Sequence, residues 1–152
     1  MHKKIYFTLK IYIMKFLKPI IILTLISTAF FLHSCSDDDD LIANVRLTEG
    51  ITGDIGGDFS GNGGAASETF NWQNDLSTAD YNADITSSVT GVFQMIVKDA
   101  DGTTVLDRSL NGAVEPDSFS GVTSAGTPGT WTVTINLSNF NGDGSFTLSE
   151  GN

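Results

Sequence analysis

The most specific chemical pattern in the chain is a run of oxygen-bearing side chains from Asn139 to Glu150. It matches the calcium-loop template D-x-[DN]-x-[DN]-G-x5-E at every position but the first, where Asn139 stands in place of Asp. The template takes oxygen ligands from positions 1, 3 and 5, which are here Asn139, Asn141 and Asp143, and a bidentate Glu from position 12. Calcium binding is therefore the first hypothesis that the residues raise.

The surroundings of this run favour a different interpretation. An EF-hand loop lies between two helices, whereas this run follows an alternating, strand-like segment, so a Gly-rich hairpin turn is the favoured prediction. A second candidate turn, Asp99-Ala100-Asp101-Gly102, has ordinary Asp-Gly turn chemistry. We expect no cofactor, and weak Ca²⁺ binding by Asp99, Asp101, Asn139, Asn141 and Asp143 remains the alternative.

The side chains that most hydrolases use are scarce beyond residue 34. Both histidines, His2 and His33, precede the single cysteine, Cys35, and Lys98 is the only lysine that follows it. This removes the common nucleophile–base pairs and zinc sites. We therefore expect no enzyme, and a small carboxylate-dependent hydrolase is the catalytic alternative.

Alternation of apolar and polar residues predicts how the chain after residue 40 folds. In segment 131–138, Trp131, Val133, Ile135 and Leu137 share one face and polar residues share the other, which indicates an antiparallel strand with one buried face. A second strand is predicted over 92–98, a return strand over 103–110, and a closing hairpin strand over 145–149. Weaker strands are predicted at 42–48, 68–72, 85–89 and 119–122.

These segments together predict an all-β domain over residues 41–152, a single antiparallel β-sandwich of about seven short strands. The Gly-rich segment 50–64 is predicted to be a loop or a flexible lead-in. Trp72 and Trp131 are expected in the core, together with Phe70, Phe93 and Phe146. Tyr81 is expected near the surface, between strands.

Charge divides the chain into two unlike parts. Up to Ser34 it has five lysines and no acidic residue, whereas all 18 acidic residues and three basic ones follow, a formal net charge of −15. Nucleic-acid binding needs clustered Lys and Arg, so we expect no nucleic-acid partner. The acidic part suits a solvated surface outside the cell.

Residues 1–34 have the order of features of a secretory signal peptide. A 13-residue apolar run, 20–32, follows a basic segment and is shorter than the ~20 residues that span a bilayer as a helix. The signal segment is expected to be helical and to be removed. Met14 is an alternative start that yields the same mature chain.

The end of that segment, Leu32-His33-Ser34-Cys35, resembles the lipobox of bacterial lipoproteins. The resemblance implies cleavage before Cys35, lipid on its thiol and acylation of the new amine. It also implies contact with the lipoprotein processing machinery and attachment to the membrane through the lipid. Several acyl chains anchor a protein stably, at ~0.8 kcal/mol for each buried CH₂ group.

The residues after Cys35 are Ser36, Asp37, Asp38, Asp39 and Asp40. A block of like charges is commonly a solvated linker, and residues 35–40 are predicted to form such a tether. The run also resembles the acidic export signal of Bacteroidota surface lipoproteins. That resemblance implies the export machinery as a partner and the outer face of the outer membrane as the location, with the periplasmic face as the alternative.

From Val92 onward the chain resembles the pre-peptidase C-terminal modules of secreted bacterial enzymes. The shared features are the turn at Asp99, Asp101 and Gly102, the Pro-Gly-Thr-Trp-Thr-Val strand opening at 128–133, and a closing Gly-x-Phe-Thr-Leu at 144–148. Such modules are mostly non-catalytic β-sandwiches. The prediction is thus a non-catalytic binding or structural module on the cell surface, or an accessory subunit of an envelope complex on the periplasmic side. The residues do not identify its ligand or protein partner.

Overall fold

The structure is a computed structural model that describes residues 40–49 and 53–151. The described residues belong to one compact unit, Asp40–Asn152. They form seven strands and no helix, and every pairing is antiparallel, which confirms the predicted all-β fold. The strands are β1 (Ala43–Glu49), β2 (Ile55–Asn74), β3 (Ala79–Thr86), β4 (Val92–Lys98), β5 (Thr104–Asn111), β6 (Ser118–Val122) and β7 (Gly129–Glu150).

Two of the strands are long and belong to both layers of the sandwich. β2 and β7 pair with each other from Ile55–Leu148 to Asn74–Gly129. The first half of β7 also pairs with β4, and its second half pairs with β3. One layer therefore has the order β5-β4-β7-β2 and the other has the order β6-β3-β7-β2-β1. A single folded sheet forms the whole sandwich.

The fold in the sheet lies where β2 and β7 bend together. Asn139 has φ 46° and Gly142 has φ 149° on β7, and the register of β2 against β7 shifts between Asn62 and Ala66. A side chain at position 142 would also collide with the carbonyl oxygen of Thr86. The bend thus requires residues that tolerate positive φ and close backbone approach. We call this side of the sandwich the bend end.

The opposite side is the open end, where both ends of β7 meet. Gly129 pairs with Asn74, and the neighbouring Asp75 backbone N–H donates to Glu150 Oε1 at 2.7 Å. The first and last residues of β7 thus both lie beside the start of the β2–β3 loop. The strand must therefore fold back on itself. The β4–β5 turn and the β6–β7 loop lie at this end, because Thr127 backbone N–H donates to Asp99 Oδ2 at 2.9 Å.

Aromatic side chains join the two layers across the core. Phe59 of β2 stacks on Phe93 of β4 in the opposite layer, with ring centroids 4.5 Å apart. Within one layer, Trp72 meets its register partner Trp131 edge to face at 6.0 Å. Both tryptophans, Phe93 and Phe146 are buried as predicted, while Phe70 is half-buried. Within the described ranges, the buried apolar side chains run from Val45 to Leu148. The unit therefore has its own hydrophobic core, as a domain that folds alone does.

Five predictions about local structure were wrong. The Gly-rich segment becomes strand from Ile55 onward, and the predicted closing hairpin at 139–144 is instead the bend inside β7. The strand predicted at 85–89 lies at Ala79–Thr86. Tyr81 is on that strand, where it is buried edge to face against Phe119, so it is not a surface aromatic. Two of the seven strands are also long, not short.

None of the described residues belongs to a helix with the length and hydropathy needed to cross a bilayer.

Candidate functional site

The proposed lipid-attachment residue and most of the acidic run lie outside the described residues. The roles predicted for Cys35, Ser36, Asp37, Asp38 and Asp39 therefore stay predictions. Asp40 is described and exposed, and its backbone carbonyl accepts a hydrogen bond from Asn62 Nδ2 at 3.3 Å. Asp40, the last residue of the predicted tether, therefore lies at the bend end.

The five candidate calcium ligands fall into two separate places. Asp99 and Asp101 are at the open end, whereas Asn139, Asn141 and Asp143 lie along the bend of β7. Glu150, position 12 of the loop template, is at the far end of β7. No group of three or more His, Cys, Asp or Glu side chains in the described part of the chain is arranged to hold a metal ion. Weak calcium binding stays a prediction.

Asp99 links two loops at the open end through backbone hydrogen bonds. Its carboxylate accepts backbone N–H bonds from Asp101 (3.1 Å) and Thr103 (2.7 Å) through Oδ1, and from Thr127 (2.9 Å) through Oδ2. The Thr127 bond is the main cause that lowers the pKa of Asp99, and the bonds from Thr103, Asp101 and Gly102 add to it, while burial acts in the opposite direction. Asp99 therefore ties the β4–β5 turn to the loop before β7.

We expect Asp99→Asn to destabilise the protein at neutral pH, because an amide NH₂ cannot accept the Thr127 N–H bond. The lowered pKa means that the carboxylate contributes stability above its unfolded-state pKa of about 3.9, and this is lost as the pH falls through the folded-state value. Thermal melts from pH 7 downward should show the difference from wild type shrinking in acid. Asp101→Asn is the control, since Asp101 accepts a side-chain bond from Thr127. Equal melting curves for the two variants at pH 7 would contradict this role.

The outer face of the layer that contains β1 is charged. A hollow of about 460 Å³ there is lined by Arg46, Asp58 and Asp143, together with Asn44, Phe59, Ser60 and Gly144. Because residues 139–150 form part of the bent strand β7, Asp143 lines this hollow and is not part of a calcium-binding loop. Asp58 and Asp143 are the two carboxylates that line this hollow, and they are the pair we test for the hydrolase alternative.

The outer face of the other layer, which has the order β5-β4-β7-β2, carries mainly uncharged side chains that can form hydrogen bonds. Strand alternation points one residue in two outward from each of four adjacent strands. Most of these outward positions carry hydroxyl or amide groups, and the exceptions are Val92, Ile96 and Lys98 of β4 and Asp107 of β5. We call this the amide–hydroxyl face, and define it as Ser67, Thr69 and Asn71 of β2, Thr132, Thr134 and Asn136 of β7, Gln94 and Ile96 of β4, and Asp107 and Ser109 of β5.

A continuous row of hydrogen bonds crosses the four strands of this face. Ser67 Oγ donates to Asn136 Oδ1 at 2.7 Å, Asn136 Nδ2 donates to Gln94 Oε1 at 3.2 Å, and Gln94 Nε2 donates to Asp107 Oδ1 at 2.8 Å. Beside this row, the hydroxyls of Thr69 and Thr134 are 2.9 Å apart. The bonds fix both amide groups in one orientation before any ligand arrives.

The row leaves hydrogen-bonding capacity directed toward solvent. Each NH₂ group has two hydrogens, and Asn136 and Gln94 each use one of them within the row. The four strands span about 14 Å at ~4.8 Å spacing. A surface of this kind offers paired donors and acceptors over an extended, flat area, which suits a ligand that presents many hydroxyl groups.

Sequence patterns revealed part of this face. The alternation in 131–138 already placed Asn136 and Thr134 on a wet face, but no pattern indicated that Gln94 and Ser67 would lie on either side of Asn136. That arrangement depends on pairing between strands distant in sequence, which one strand's alternation does not encode.

No family model matches the chain, and no curated protein matches it. Several solved structures are similar at low identity. One is TmCBM61 in complex with beta-1,4-galactotriose, with TM-score 0.43, 10% identity, and coverage of 74% of this chain and 89% of that one.

A second is the carbohydrate-binding module CBM6cm-2 of lichenase 5A from Cellvibrio mixtus in complex with cellotriose, with TM-score 0.42, 9% identity, and coverage of 72% and 88%. A third is the C-terminal CBM6 of LamC from Zobellia galactanivorans, with TM-score 0.40, 12% identity, and coverage of 74% and 94%.

Proposed function

We propose that the mature chain is a non-catalytic binding module that holds neutral, polyhydroxylated chains such as polysaccharides on its amide–hydroxyl face. We further propose that lipid on Cys35 anchors it to the outer membrane, facing the cell exterior. The observation that carries the binding proposal is the hydrogen-bonded row through Ser67, Asn136, Gln94 and Asp107.

The chemistry of the face supports a neutral ligand. A sugar hydroxyl both donates and accepts hydrogen bonds, as do the amide and hydroxyl side chains that face it. An anionic ligand would meet the repulsion of a strongly acidic chain. Orientation of the amides before binding reduces the side-chain entropy that is lost on association. Ile96, half-buried among the polar groups, offers an apolar contact for a sugar ring.

Affinity gel electrophoresis with soluble neutral polysaccharides, namely a β-glucan, a galactan and a mannan, tests this function. Gln94→Ala combined with Asn136→Ala removes both amides of the row. At about 0.5–1.5 kcal/mol for each of two hydrogen bonds lost, the pair should weaken binding by about 5- to 150-fold. The matched control is Asn82→Ala with Ser120→Ala, two neighbouring outward residues of the other layer.

Retardation of the wild type that the Gln94/Asn136 pair loses and the control pair keeps would support the proposal. No retardation by any of the three polysaccharides, or equal loss in both pairs, would contradict it. Release of reducing ends that disappears in Asp58→Asn or Asp143→Asn would instead support the hydrolase alternative. Protease treatment of intact cells separates surface exposure from the periplasmic accessory alternative.

A further inference from the structure

Exposed apolar side chains are concentrated at one end of the sandwich. Among the described residues, Leu41 (69% exposed), Ile42 (62%), Val89 (44%) and Val114 (60%) lie at the bend end. The other large apolar side chains that are exposed, Leu76 and Val122, lie at the open end. Apolar groups that cluster on one side of a soluble domain suggest a surface that they contact.

Hydrogen bonds hold the chain entry against the bend. Ile42 N–H donates to Asn62 Oδ1 at 2.6 Å, and Asn62 N–H donates to the Ile42 carbonyl at 3.0 Å. Leu41 and Ile42 therefore have a fixed place at the point where the tether joins the domain. The same sheet edge carries the tether and these two apolar side chains.

The loops that carry the two valines are joined to the same bend. Ser87 Oγ donates to the carbonyls of Val89 (2.8 Å) and Asn141 (2.6 Å), and Ala113 N–H donates to the Ser87 carbonyl at 3.0 Å. Val114 follows Ala113 directly. All four apolar side chains are thus presented by one hydrogen-bonded end of the domain.

The length of the tether limits how far this end can lie from a lipid anchor. Asp40 is the fifth residue after Cys35, and the extended chain between the two spans at most about 17 Å. We propose that the bend end docks on the lipid surface that anchors the protein, with Leu41, Ile42, Val89 and Val114 in contact with lipid. This inference rests on the anchoring part of the proposed function.

The charged side chains at this end indicate which lipid headgroup charge the docking surface would tolerate. Glu115 and Asp117 line a hollow of about 420 Å³ beside Val114, and Asp40 lies at the tether junction. Negative side chains repel an anionic surface, so the lipid is expected to be zwitterionic. Docking in this way leaves the amide–hydroxyl face, on the side of the sandwich, open to solvent.

Methyl NMR of the mature chain on nanodiscs tests the inference. Cys35 is coupled chemically to a maleimide lipid in phosphatidylcholine nanodiscs that contain spin-labelled lipid, so attachment does not depend on cellular processing. The readout is paramagnetic relaxation of the Ala113 methyl. Val89→Asp with Val114→Asp should reduce it several-fold, whereas the matched open-end pair, Leu76→Asp with Val122→Asp, should leave it unchanged.

Equal Ala113 relaxation in the two double variants would overturn the inference, because the tether alone would then account for the proximity. Every substituted residue is exposed, and unchanged core methyl signals would verify that both variants are folded. A failure of lipid attachment in cells would appear in a different experiment, since the chemical coupling bypasses it.

Discussion

Replacing Phe93 by Ala is expected to lower the free energy of unfolding by about 3–5 kcal/mol, the usual cost of deleting a buried aromatic side chain. Phe93 is fully buried and stacks on Phe59 of the opposite layer at 4.5 Å, and it lies 6.1 Å from Phe119. Its removal would leave a cavity between the two layers. Urea unfolding followed by tryptophan fluorescence measures the change, because Trp72 and Trp131 are both buried in the core.

Val122→Ala is the control for this variant. Val122 is 58% exposed on β6, so its truncation should change the free energy of unfolding by no more than about 0.5 kcal/mol. A loss below about 1 kcal/mol for Phe93→Ala would contradict the sandwich as described, since the two layers would not then depend on this contact.

Replacing Cys35 by Ala is expected to move the protein from the membrane fraction to the soluble fraction. The variant has no thiol to carry diacylglycerol, so the acyl chains that would hold it in the bilayer are never attached. The described domain itself displays a largely polar surface around its core. Fractionation of cells grown with a fatty-acid analogue that can be labelled measures both attachment and location.

Ser36→Ala is the matched control for the anchor, because it alters the adjacent residue and keeps the thiol. It should remain labelled and membrane-bound. An unlabelled wild type, or a Cys35→Ala protein that fractionates as the wild type does, would contradict lipid attachment at this residue.

Local alternation predicted the core strands well. In 131–138 and 92–98 the apolar residues recur with period two, and Trp131, Val133, Phe93 and Met95 are all buried in the structure. A period of two follows directly from backbone geometry, so no tertiary information is needed to recognise it. The Asp99–Gly102 turn was predictable for a similar reason, since its residue types favour a turn locally.

The bend could not be distinguished from a hairpin by its residues alone. Asn139, Gly142 and Gly144 accept unusual backbone geometry, and such residues are typical of tight turns and of folded strands alike. The choice depends on β2, which bends alongside β7 and pairs with it on both sides of the fold. The same reason explains why segment 55–64 was predicted to be a loop.

Tyr81 shows the limit of composition-based reasoning about exposure. It was expected near the surface because it fell between predicted strands, yet it lies on an alternating strand whose inward half is Ala79, Tyr81 and Ala83. Because alanine is small and only weakly apolar, the alternation of Ala79, Tyr81 and Ala83 did not indicate a buried strand face. The amide–hydroxyl face could be predicted only in part from the sequence. Its hydrogen-bonded row joins residues from four strands, and their pairing is not encoded in any one strand.

The central claim is that the amide–hydroxyl face binds a neutral polyhydroxylated chain. An NMR titration of the ¹⁵N-labelled mature chain with neutral oligosaccharides, prepared from the polysaccharide that retards it most, tests this directly. We expect the side-chain amide signals of Gln94, Asn136 and Asn71 to shift with saturation, while that of Asn82 on the other layer stays in place. Saturable shifts confined to Asn82 and the residues around Asp58 and Asp143, with Gln94 and Asn136 unchanged, would contradict the account.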